Sequence, residues 1–73
     1  MKSIPEKTID RVEQLMNVDL KGQALADYQQ QIIVMLVEVM RITNGDQFTL
    51  GFLHGAVKHV ETSKPFIKAV RTH

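Results

Sequence analysis

Residues 32–42 read Ile32-Ile33-Val34-Met35-Leu36-Val37-Glu38-Val39-Met40-Arg41-Ile42, the longest and most apolar run in the chain. Periodicity decides what this run is. Leu25, Tyr28, Ile32, Met35, Val39 and Ile42 recur every three or four residues, which draws one stripe along a helix. Ala26, Ile33, Leu36 and Met40, with Val37 close by, draw a second stripe beside it. Asp27, Gln31, Val34, Glu38 and Arg41 form the narrow polar strip opposite. The β-branched residues favour a strand weakly. Gln29-Gln30-Gln31 before the run, with Met35, Leu36 and Met40 inside it, outweigh them. The spacing therefore predicts a helix over 22–43, begun somewhere between 19 and 24 and stopped by Asn44-Gly45.

A helix with one narrow polar strip needs cover on two or three sides. Either it is the central helix of its own small domain, or part of it faces a second copy of the chain. The energetics favour the second. Ordering a chain of 73 residues costs on the order of 100 kcal/mol. Burying one large apolar side chain returns about 1.5–3 kcal/mol. A chain this short hides a smaller fraction of its surface than a typical domain does. Leaving the second stripe in water would waste several of its best residues.

Working outward on the N-terminal side, Ser3-Ile4-Pro5-Glu6 has the form of a capping box, and 4–16 reads as a short amphipathic helix. Its apolar face is Ile9, Val12, Leu15 and Met16, and Asn17 is its stop. Alone it would be marginal in water, so it must dock, and the central helix is the surface available. Val18 to Gly22 connects the two, with Asp19 as a cap and Val18 and Leu20 as an apolar clip.

On the C-terminal side, 47–61 reads as a third helix capped by Asp46 or Thr49, with Phe48, Phe52, Leu53, Ala56, Val57 and Val60 turned inward. Pro65 disfavours helix in the residue before it. A short fourth helix over 64–71 would carry Phe66, Ile67 and Val70 on one side. Short connections make neighbouring helices antiparallel. The expectation is a single all-α domain over 1–73, a small bundle of three to four helices completed by homo-oligomerisation.

Composition sets outer limits. Apolar residues make up 44% and charged residues 23%, the balance of a globular chain. Cysteine is absent, which removes disulfides, thiolate catalysis and cysteine-bound zinc and fits a reducing compartment such as the cytoplasm. The N-terminal residues have no apolar core region and do not read as a signal peptide. Asp27, Glu38 and Arg41 interrupt the central run, so no membrane span or membrane partner is expected. The net charge is +1. It is unevenly spread, at −2 over residues 1–40 and +3 over 41–73, enough for the halves to attract each other.

Three features could carry chemistry. Gly51 and Gly55 lie four apart inside a helix, where each costs about 1 kcal/mol relative to alanine. They are tolerable where another backbone comes close, be it the chain's own central helix, a helix across an oligomer axis or a ligand. With Ile33, Leu36, Val37 and Met40 they form the candidate oligomer interface. His54 and His59 are five apart, whereas a helical metal pair needs four, and no cysteine assists; no metal or other cofactor is expected. His54, Lys58, Lys64, Lys68 and Arg71 form a basic end, either a solvated face or a candidate anion-binding site whose backbone donors come from a helix start at Ser63-Lys64-Pro65.

Ser3 and Ser63 read as helix caps, no glycine-rich phosphate loop exists, and no carboxylate pair lies in an apolar setting, so no catalytic residue and no enzyme are expected. The four aromatic residues, Tyr28, Phe48, Phe52 and Phe66, sit at core positions and leave no platform for single-stranded nucleic acid. The leading expectation is a non-enzymatic interaction protein, a regulator, adaptor or inhibitor, that self-associates through its central helix and binds another protein. The alternative is a protein that captures a nucleotide or nucleic acid through the basic C-terminal third.

Overall fold

The computed structural model describes residues 4–65. They form three helices, α1 (Glu6–Met16), α2 (Gly22–Asn44) and α3 (Asp46–Thr62), and among the described residues there is no strand. The all-α expectation holds, with small shifts at the helix ends. The expected fourth helix over 64–71 falls largely outside the described residues; Lys64 and Pro65, which are described, are not helical.

Helix α1 starts two residues later than the sequence suggests, because Ile4 and Pro5 stay outside it. Pro5 occupies the position before the first turn and makes no side-chain cap. Its carbonyl instead accepts from the N–H groups of Thr8 and Ile9. Ser3, the expected cap, lies outside the described residues. Asn17 ends the helix as expected.

The entry to α2 corrects the capping role given to Asp19. Lys21 is extended and precedes the helix without a side-chain cap. The chain turns into α2 on Gly22, whose φ of +58° suits a residue with no Cβ. One residue, Gly45, makes the whole connection between α2 and α3. Its φ of 86° and ψ of 166° end one helix and begin the next. Its N–H donates to the Arg41 carbonyl at 2.9 Å, and its carbonyl accepts from Thr49 N–H. Neither Asp46 nor Thr49 caps α3: Asp46 is already its first residue, and the Thr49 hydroxyl donates backwards to the Gly45 carbonyl at 2.8 Å.

Helices α2 and α3, joined at Gly45, contact each other and form the α2–α3 hairpin. Helix α1 reaches α2 through long side chains. The Tyr28 hydroxyl donates to the Leu15 carbonyl at 2.5 Å, and the Gln29 amide donates to Met16 Sδ at 3.7 Å. The expected docking of α1 on the central helix thus occurs at its last turn.

Burial corrects the expected core. Thr49, next to the turn, is 2% exposed and is the one buried residue among those described. Leu53, Ala56 and His59 follow it along α3 as half-buried positions. Phe48, Phe52, Val57 and Val60, read as inward-facing, are exposed, with Val60 at 77%. The reason is geometric. One line of α3, Thr49–Leu53–Ala56, meets α2, and cover falls away from the turn, as in two helices that touch at one end and diverge. A single neighbour covers one stripe of a helix, and α3 carries apolar residues on more than one.

Candidate functional site

Among the described residues, all the exposed large apolar side chains except Val12 and Leu15 lie on the α2–α3 hairpin. The first stripe of α2 divides in two. Leu25, Tyr28 and Ile32, near the end of α1, are half-buried. Met35, Val39 and Ile42, beyond its reach, are at least half exposed, with Ile42 at 86%. The second stripe also divides. Val37 and Met40 are half-buried, and Ile33 and Leu36 are exposed.

Helical spacing sorts the hairpin into two sides. With Val37 and Met40 turned toward Thr49, Leu53 and Ala56, the exposed Leu36 and Val39 of α2 and Phe48 and Phe52 of α3 fall on one side. Glu38, Arg41 and Asp46 fall on the other. There, Arg41 Nε donates to Asp46 at 2.9 Å, and Arg41 Nη1 donates to Glu38 at 3.1 Å. These charges, with Leu50, Leu53, Thr49 and Val37, line a shallow groove of about 180 Å³ beside the turn. By the same spacing the first side carries no Asp, Glu, Lys or Arg of α2 or α3, and half-buried His59, seven residues after Phe52, lies along it.

Arg41 and Asp46 tie the last turn of α2 to the first residue of α3. Their hydrogen bond, and then their opposite charges, hold the Asp46 carboxyl below the usual carboxylate range, and hold the Arg41 guanidinium, which Glu38 also contacts, further above its own. A depressed carboxylate adds stability at pH values above its unfolded range, and that contribution fades as pH falls through its folded value. The loss for Asp46 therefore comes at pH below the ordinary Asp titration. Carboxyl NMR titration will give Asp46 a depressed midpoint, and Arg41→Ala will return it to the ordinary range. An unchanged midpoint in Arg41→Ala rules out the pairing.

Of the other sequence candidates, Gly51 and Gly55 are exposed, and a Cβ placed on either would meet open space. The chain's own central helix does not approach them. His54 and Lys58 lie exposed on the side of α3 away from α2, and Lys64 lies exposed just past its end. Lys68 and Arg71 lie outside the described residues. The backbone donors expected at Ser63 are partly used, since Ser63 N–H donates to the His59 carbonyl at 2.9 Å. His54 is exposed and His59 half-buried, about 140° apart around the helix.

Sequence reasoning missed Phe48, Phe52 and Val39 as surface residues. Their spacing was visible, but periodicity marks a face as apolar without saying which chain covers it. Among the described residues, no helix is long and apolar enough to cross a membrane. Comparison with protein families, with characterised proteins and with solved structures finds no match to this chain.

Proposed function

We propose that this chain is a non-enzymatic, cytoplasmic interaction protein, a regulator, adaptor or inhibitor, that works as a homo-oligomer through the apolar surface of α2. One observation carries the reading: no large apolar side chain among the described residues is buried. Folding must offset roughly 1–2 kcal/mol of backbone entropy per residue, and removing apolar surface from water is the main driving force that can do so. The second and third helices leave Ile33, Val34, Met35, Leu36, Val39, Ile42, Phe48 and Phe52 in water, so the apolar material for a core exists but is unused within one chain. Exposed apolar surface on this scale marks an association site. Cysteine-free composition suits the reducing compartment.

Sedimentation velocity at micromolar concentration is the direct test. The expected result is a species whose mass is a multiple of the 8.3 kDa chain, dissociating on dilution together with its helical signal. A compact, stably folded monomer at all concentrations overturns the proposal.

A further inference from the structure

The uncharged side of the hairpin points to a specific assembly: we infer that two copies pair through Leu36 and Val39 of α2 and Phe48 and Phe52 of α3, across a two-fold axis, to make a four-helix core from two α2–α3 hairpins. This rests on the self-association reading and names its face and its partner. Three observations lead there. The first is charge sorting. Glu38, Arg41 and Asp46 are gathered in mutual ion pairs on the opposite side, so the apolar side meets its own copy without bringing like charges together. An isologous contact requires a patch that is compatible with itself, and an uncharged one is.

The second observation is area. Phe48 and Phe52 are 57% and 52% exposed, leaving on the order of 100 Å² each. With Leu36 and Val39, also half exposed or more, the side presents on the order of 400 Å² of apolar surface, about half of the roughly 800 Å² per partner in a standard interface. The third is dependence. A hairpin without a buried apolar side chain needs its partner whenever it is folded, and another copy is the partner present at every concentration of the chain. Two such hairpins, face to face, supply the four helices of a bundle core.

The test compares Phe52→Glu with Val57→Glu in the full chain. Val57 is also exposed on α3 but lies on the side of the ion pairs. The wild type is expected to sediment as a dimer, with a melting temperature that rises as protein concentration rises. Phe52→Glu is expected to lose the dimer and most of the helical signal, whereas Phe52→Leu and Val57→Glu keep both. Because Phe52→Glu could unfold for reasons of its own, a second measurement is included: Val57→Glu must retain the concentration-dependent melting. If Phe52→Glu stays dimeric, or Val57→Glu is the variant that dissociates, the face is wrong while self-association stands. A wild-type trimer or tetramer refutes the two-fold hairpin pair. A wild-type monomer removes this inference and the self-association reading together.

Discussion

Gly45→Val is expected to lower stability by roughly 1–3 kcal/mol, because the single-residue turn between α2 and α3 uses a backbone conformation that is almost exclusively glycine's. The position has φ 86° and ψ 166°. Any Cβ is strained there, and a β-branched one most of all. Nothing lies within 4 Å of where the Cβ would sit, so the penalty comes from the backbone and not from packing. The chain has two poor responses. It can hold the turn and carry the strain, or it can relax φ and lose the contacts that Gly45 arranges. Those are its own N–H to Arg41, the Thr49 N–H and hydroxyl on its carbonyl, and the Arg41–Asp46 pair across it. Thr49, the one buried residue among those described, depends on that arrangement. Chemical denaturation monitored by circular dichroism measures the difference at fixed protein concentration. Equal stability of Gly45→Val and wild type would show that α2 and α3 are not joined by this turn.

The glycine at 45 was legible in the sequence as a left-handed stop, because Asn44-Gly45 follows the last periodic residue of α2. The three helices were legible too, since each carries apolar residues at three- and four-residue spacing. The caps were less so. Asp19, Asp46 and Thr49 are residue types that suit a cap, but glycine geometry at 22 and 45 turns the chain without any of them. Inward and outward were the least legible. Phe48 and Phe52 belong to an apolar face in sequence and remain exposed in the folded chain. Hydrophobicity says that a side chain will leave water somewhere; it does not say within which molecule. Val34 shows the converse: placed on the polar strip by its spacing, it is exposed as expected, despite being apolar.

Met40→Glu gives the sharpest contrast within α2, and Val34→Glu is its control. Met40 is half-buried on the second stripe, one helical turn nearer Gly45 than Val37, which lines the groove with Thr49 and Leu53 of α3. A carboxylate there must be desolvated beside apolar groups, and among the described residues the cations of the hairpin offer it little: Arg41 is held on the other side by Glu38 and Asp46. Such placements rank among the largest single-residue effects, and a loss of about 3 kcal/mol or more is expected. Val34 is 59% exposed beside Asp27, Gln31 and Glu38. Glutamate at that position removes a β-branched residue from a helix and adds one like-charge neighbour at Glu38, two effects of a few tenths of a kcal/mol that oppose each other. The net change is within about 0.5 kcal/mol. The two variants add the same charge six residues apart on one helix, so net charge and solubility cannot account for a difference between them. Thermal melts and sedimentation run side by side at one concentration decide the matter. Met40→Glu is expected to melt far lower and to dissociate, and Val34→Glu to behave as wild type. Were both variants equally mild, Met40 would be facing water, and the packing of α2 against α3 that orients every other face of the hairpin would have to be redrawn.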